Sequence, residues 1–187
     1  MQSPHPTPPM LLLAGTSEAG KSSAGEYLAT LGARRIKIRT ILVRLSSGRE
    51  THHEGVQTRE GFEYGEFIAR LLESGGGEGP LAIESFIDVA LADRVKQAWP
   101  ARCAIMFITA PLPVRVRRLA EASGISAAAA QRVIRSKDER KRVNEQLSTW
   151  RVVTDYWIDN SADIVTFRTR VREAYESLQT TAGGTQP

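Results

Sequence analysis

The stretch Gly15-Thr16-Ser17-Glu18-Ala19-Gly20-Lys21-Ser22-Ser23 carries the densest chemistry in the chain. Up to Ser22 it fits G-x-x-x-x-G-K-[ST], a spacing in which each part does one job for a polyphosphate. Gly15 and Gly20 let the backbone curl so that successive N–H groups point at phosphate oxygens. A helix opening near Gly20 adds its positive end to the same anion. Lys21 is spaced to bridge β- and γ-phosphates, and the Ser22 hydroxyl to ligate Mg²⁺. The apolar run Met10–Ala14 before the loop reads as a buried strand, and Ser22–Leu31 after it is helical in composition. That strand–loop–helix context separates the pattern from an ordinary glycine-rich turn in which a lysine happens to fall.

Two other groups could act on a phosphate held there. Glu84 directly follows Leu81-Ala82-Ile83 and would be costly to bury unpaired, so a strand-end carboxylate that works on a ligand competes with one that faces water. Asp88 is the second candidate. The segment 115–142 holds nine basic and three acidic side chains, a balance of +6, which leaves −2 for the rest of a chain whose formal net charge is +4. Phosphoryl transfer needs positive charge of this kind in a site that excludes water. Arg132 and Arg135 stand one helical turn apart. A solvated basic helix face is the competing reading. The segment has no interleaved aromatics, the nearest being Phe107 and Trp150, which argues against a nucleic-acid surface.

These groups need a scaffold, and 187 residues with 41% hydrophobic content are enough for one domain with a real core. Residues 1–9 hold four prolines without apolar periodicity and are expected to be a disordered leader, and 179–187 a disordered tail; the domain spans 10–178. Strands are expected at Met10–Ala14, Arg35–Arg39, Leu81–Phe86, Cys103–Thr109 and Tyr156–Ile158. Helices are expected at Ser22–Leu31, Arg59–Glu73, Asp88–Trp99, Pro113–Ala122, Ser126–Leu147 and Ala162–Leu178. Ser74–Pro80 reads as a flexible loop. The alternation predicts an α/β protein with a mostly parallel sheet covered on both faces. A single cysteine, Cys103, excludes an intramolecular disulfide and a cysteine zinc cage, and it reads as a small buried hydrophobe. No apolar run reaches the ~18–20 residues of a membrane span. There is no N/T-K-x-D guanine-reading motif, and the chain is too short for a motor or an AAA+ module with its lid domain.

The loop GTSEAGKSS, Ile83–Ser85 (IES), Phe107–Leu119 (FITAPLPVRVRRL), Arg132–Arg142 (RVIRSKDERKR) and Tyr156–Ser161 (YWIDNS) come in an order that resembles the P-loop nucleoside and nucleotide monophosphate kinase superfamily, on the side that includes dephospho-CoA kinase. The resemblance runs from about Met10 to Leu178. It implies a three-layer P-loop fold with a five-stranded parallel sheet, helices on both faces and a helical lid at about 123–148. It also implies ATP- and Mg²⁺-dependent phosphoryl transfer. By the same resemblance, Gly15 through Ser23, Arg132 and Asn160 would contact the nucleotide. Lys21, Glu84, Arg118 and Arg135 would be catalytic, and Ser22 and Glu84 would serve the metal. Glu84 stands where the family usually has Asp. Asn160 would face adenine, although Asn-Ser is also an ordinary helix start with Ser161 as N-cap.

Many relatives carry an Arg just after the glycine that follows the strand carboxylate. Here Ser85, Phe86 and Ile87 stand in that region, so the resemblance carries no acceptor over. The acceptor is expected within 33–75, with Arg39, Arg44, Arg49 and Arg59 for a phosphate and Glu63 and Tyr64 for a base or sugar. His52-His53 reads as solvated, and Trp99, Trp150 and Trp157 as packing residues. The expected protein is a small cytoplasmic kinase acting on a nucleotide or nucleoside-like acceptor, with no membrane or nucleic-acid partner, as monomer or homodimer. A dephospho-CoA kinase-type enzyme and a non-enzymatic ATP-binding regulatory P-loop protein are the alternatives.

Overall fold

A computed structural model describes residues 8–45, 64–74 and 79–183. Five strands form one sheet: β1 Met10–Gly15, β2 Arg34–Lys37, β3 Leu81–Phe86, β4 Cys103–Thr109 and β5 Tyr156–Asp159. All neighbouring pairs are parallel, in the order β2-β3-β1-β4-β5. The described helices are α1 Lys21–Thr30, α2 Ile38–Leu45, α3 Tyr64–Ser74, α4 Val89–Ala98, α5 Leu112–Ser123, α6 Ala127–Arg140, α7 Val143–Val153 and α8 Ile164–Gly183.

The central strands β1 and β4 read as nearly unbroken apolar runs because both sheet faces are covered there. Met10, Leu12 and Ala14 of β1 join Ile41, Phe67, Leu91, Phe107 and Trp150 on one face. Leu11 and Leu13 join Leu28, Phe167, Val171 and Leu178 on the other. Phe107 stacks on Trp157 with ring centroids 4.4 Å apart and meets Trp150 at 5.5 Å, so these tryptophans are packing residues as expected. β1 lies at the centre, with β3 and β2 on one side and β4 and β5 on the other. The crevice at the carboxyl ends of the strands is where such sheets bind ligands, and β1 runs straight into the glycine-rich loop there.

Several boundaries differ from expectation. The expected strand Arg35–Arg39 stops at Lys37, and α2 starts at the next residue, because Ile38, Ile41 and Leu42 bury one helical stripe. The single helix expected over Ser126–Leu147 is two, α6 and α7, broken where Arg142 takes a left-handed φ of 52°. The break lets Ala130 and Ile134 bury on one axis while Val143 and Trp150 bury on another, and the Gln146 amide donates to the freed Lys141 and Arg142 carbonyls. The last helix runs on to Gly183 with Ala182 buried, so 179–183 are helical where a disordered tail was expected. Its start is capped by Asp163, not Ser161: Asp163 accepts from the Val165 and Thr166 N–H groups at 2.8 and 2.9 Å. Residues 1–7, 46–63, 75–78 and 184–187 lie outside the described residues. With them go most of the leader and loop expectations, Arg49, His52, His53, Arg59 and Glu63.

Candidate active site

The turn from β1 into α1 is forced close to its neighbours. Gly15 has a φ of 139°, and a Cβ there would overlap the Ile108 carbonyl of β4. Gly20 has a φ of 104°, and a Cβ there would meet the Asn160 amide. Only glycine serves at either point. Asn160 is buried and donates to the Ala19 carbonyl at 2.8 Å, so the residue after β5 braces the back of the loop.

Lys21 opens α1 and folds back into the loop, its ammonium donating to the Gly15 and Thr16 carbonyls at 3.0 and 2.6 Å. Burial pushes its pKa down to about 7; Lys141 and Arg115 add to the fall, while Asp138 and Glu18 oppose it. Ser22 and Ser23 are exposed on the first turn of α1.

Glu84 ends on the same side of the sheet. It is 1% exposed, and its Oε2 accepts from the Ser22 hydroxyl at 3.4 Å. Its charge is met by Arg35 of β2, whose Nε bonds Oε1 and whose Nη2 reaches Oε2 at 3.3 Å. The pairing with Glu84 raises the Arg35 pKa above its ordinary value. Gly25 of α1 makes the room: a Cβ there would collide with the Glu84 carboxylate. Just beyond, β3 bulges against β1, Leu13 pairing with Glu84 but Ala14 with Phe86. The extra residue, Ser85, takes a φ of 77° and borders the cavity above the loop.

From the other side, α5, α6 and the α6–α7 turn grip the loop. Arg115, 8% exposed, donates from Nη1 to the Ser17 carbonyl at 3.0 Å and to Asp138 Oδ2 at 2.7 Å. The Ser17 N–H donates to Asp138 Oδ1 at 2.9 Å. Burial works against ionisation of Asp138, but the hydrogen bonds from Arg115 and Ser17 outweigh it and hold the carboxyl below its usual range. Lys137 pairs with Glu18 at 2.6 Å, and Lys141 donates to the Ser17 hydroxyl at 3.4 Å.

A cavity of about 510 Å³ opens above the loop. Its lining includes the polar Lys21, Ser22, Ser85 and Lys141 and the apolar Leu119, Ala122, Ile164 and Phe167. Arg118 borders it, tied to the Asn160 carbonyl at 2.8 Å and the Ala162 carbonyl at 3.4 Å.

The predicted loop residues Gly15 to Ser23, with Glu84, Arg118 and Asn160, are thus brought to one crevice. Arg132 and Arg135 are not. Both are exposed and neither borders the cavity, because α6 buries Ala130 and Ile134 and turns those arginines outward. The helical phase brings Lys137, Asp138 and Lys141 to the loop instead. Asp88 caps α4, accepting from the Leu91 N–H at 2.8 Å. Arg39 is exposed on α2, and Tyr64 lies under the Arg94 guanidinium at 4.1 Å. Arg35, Gly25, Ser85, Arg115 and Asp138 were not found from sequence. The only signal for the first was a charged residue at the mouth of a strand next to Glu84's, and a helix glycine four residues past Lys21 was a further sign.

Among the described residues no group of three or more His, Cys, Asp or Glu could hold a metal ion, and no helix is long and apolar enough to cross a membrane. A magnesium ion carried by phosphates needs no such cluster, only one or two hard oxygen donors from the protein. The exposed Ser22 hydroxyl and the adjacent Glu84 oxygen have that chemistry.

No family model and no curated protein matches the sequence. Solved structures do match. An uncharacterized protein from Eubacterium ventriosum shares 10% identity over 90% of this chain and 98% of its own, with a TM-score of 0.63. A gluconokinase from Sinorhizobium meliloti shares 19% over 95% of each chain, with a TM-score of 0.57. A shikimate kinase from Acinetobacter baumannii, solved with shikimate, shares 16% over 97% of each chain, also at 0.57. The chain therefore shares the fold of these structures, the gluconokinase and the shikimate kinase among them.

Proposed function

We propose that the chain is a small ATP- and Mg²⁺-dependent kinase that transfers a phosphoryl group to a small-molecule acceptor. The observation that carries this reading is the juxtaposition at one crevice of the glycine-rich loop, Lys21, and Ser22 beside the buried Glu84, next to a cavity of nucleotide-compatible size. Lys21 would neutralise the terminal phosphates, and the loop N–H groups would cradle them. Ser22 and Glu84 would hold the ion, whose bound charge neutralises that developing on the phosphoryl group. Lys141, which lines the cavity where Arg132 and Arg135 do not, would add positive charge there. The base would lie against Leu119, Ala122, Ile164 and Phe167, with Arg118 beside it. Asn160 would act from behind the loop.

The acceptor is a small molecule bearing a hydroxyl or phosphate. A nucleotide or nucleoside-like acceptor rests on the resemblance of the motifs, and a small hydroxy acid on the likeness to the gluconokinase and shikimate kinase. ADP release over a panel of nucleosides, nucleoside monophosphates, dephospho-CoA, gluconate and shikimate tests both. Release that depends on one acceptor is the expected result. Release indifferent to every acceptor, or absent with all of them, favours the regulatory ATP-binding alternative.

Binding should carry a proton. The free-state pKa of Lys21 is about 7, and a polyphosphate laid beside it favours the ammonium. At pH 8 the free lysine is mostly neutral, so ATP binding takes up about 0.9 proton, and affinity falls up to about tenfold per pH unit above 7. Calorimetry in two buffers of different ionisation enthalpy reads the uptake directly. Equal binding heats in both buffers at pH 8 would contradict it.

A further inference from the structure

Arg35 stands outside the loop, outside the cavity lining and outside every expected site residue, yet it controls the one buried carboxylate in the crevice. Glu84 sits at 1% exposure, and among the described residues its charged and hydroxyl partners are Ser22 and Arg35. A carboxylate so deep in a protein is stable as an anion only when paired, and a guanidinium fork meets it in two places at once. Arg35 is in register with Ala82 of β3, so the fork reaches Glu84 from the neighbouring strand. Its remaining nitrogen, Nη1, reaches Glu26 of α1 at 3.3 Å, which ties β2, β3 and α1 together at this point. The carboxylate lies in space that a Cβ at Gly25 would fill.

We infer that Arg35 is a positioning residue: through its two-pronged hold on Glu84, in the slot left by Gly25, it fixes the carboxylate facing the Ser22 hydroxyl, and so sets how well the site takes Mg²⁺ with its nucleotide. The inference rests on the nucleotide reading given above. It also separates the two roles open to Glu84. Both carboxylate oxygens are held by the fork, and Oε2 also accepts from the Ser22 hydroxyl, which suits a metal-side holder better than a proton acceptor. Lysine at 35 would keep the charge but not the planar fork.

The test measures binding of the β,γ-imido analogue of ATP by calorimetry, in Mg²⁺ and in EDTA, with urea unfolding alongside. In the wild-type protein Mg²⁺ should tighten binding. In Arg35→Gln the affinity in EDTA should stay within about twofold, while the gain from Mg²⁺ falls about tenfold or more, the usual size of such supporting contacts. Arg35→Lys should fall between. Gly25→Ala, whose Cβ would push the Glu84 carboxylate out of its slot and crowd Arg35 Nε, should lose the same gain and serves if Arg35→Gln does not fold. Arg35→Gln combined with Glu84→Gln should lose no more than Glu84→Gln alone. A purely structural Arg35 would lower stability and leave the Mg²⁺ gain intact; that result, or additive losses in the double variant, overturns the inference alone. A wild-type protein that does not bind the analogue overturns the nucleotide reading and the inference with it.

Discussion

Lys21→Met lowers phosphoryl transfer by about 10³-fold in kcat/KM, because it removes a preorganised cation from the place where charge develops in a site shielded from water. The same change has a separate signature in the free protein. Folding buries the Lys21 ammonium and drops its pKa from 10.5 to about 7. Between those values the unfolded chain holds a proton that the folded chain has released, so wild-type stability rises as pH climbs from about 7 to about 10. Below about 7 the buried charge weighs in full. Methionine is one atom shorter and carries no charge, so the stability of Lys21→Met relative to wild type improves as pH is lowered from about 10 to about 7. ADP release with the identified acceptor reads the first effect, and urea unfolding at about pH 6 and about pH 10 reads the second. Unchanged turnover would remove the lysine from the mechanism. A stability difference that does not move with pH would mean the ammonium is not buried in the folded loop.

What could be seen in the sequence divides along a physical line. The glycine-rich loop was legible because its function depends on contiguous backbone, and Gly15 and Gly20 are required by close approaches that any sequence with this turn must meet. The strands β1, β3 and β4 were legible as largely apolar runs because the middle of the sheet is covered on both faces. Glu84 stood out as a charge in such a run. Its partner did not, since Arg35 is 49 residues away and nothing local announces a pairing made by strand order. The β3 bulge was equally hidden: Ser85 at a positive φ is neither glycine nor asparagine, the residues that usually signal it. The α6 side chains show a third kind of limit. The excess of basic residues in 115–142 is real, but which of them face the loop depends on helical phase and on a break at Arg142 that no glycine or proline marks. A shift of two residues in that phase exchanges Arg135 for Lys137 at the loop.

Several of those cations are also matched within the fold. Arg115 is spent on Asp138, Lys137 on Glu18 and Arg142 on Glu145. The net positive charge of the segment therefore overstates what a phosphate would meet, and Lys21 and Lys141 are the cations that border the cavity together with Arg118. A crevice with few cations, each placed, suits a small polyphosphate better than an extended nucleic-acid backbone, which calls for many phosphate contacts along a groove.

Asp138→Ala should destabilise the protein by about 3 kcal/mol at neutral pH, near the lower end for breaking a buried ion pair, since the pair is not wholly sealed from water. The cost lies less in the lost attraction than in what is left behind. Arg115, 8% exposed, already has an Nε without a partner, and the change leaves its Nη1 with the Ser17 carbonyl alone. The Ser17 N–H loses its acceptor in the same step. Asp138→Asn keeps an acceptor for Ser17 and should lose less. Because Asp138 titrates below its ordinary value of 3.8 in the folded protein, the stability it contributes is present above that value and drains away as pH falls through the lower, folded one. The unfolding midpoints of wild type and Asp138→Ala should therefore lie far apart at pH 7 and draw together toward pH 2. Midpoints that coincide at pH 7 would mean that α6 does not hold the loop through this carboxylate, and the grip would then rest on Lys137 and Lys141, whose contacts are more exposed and more easily weakened by salt.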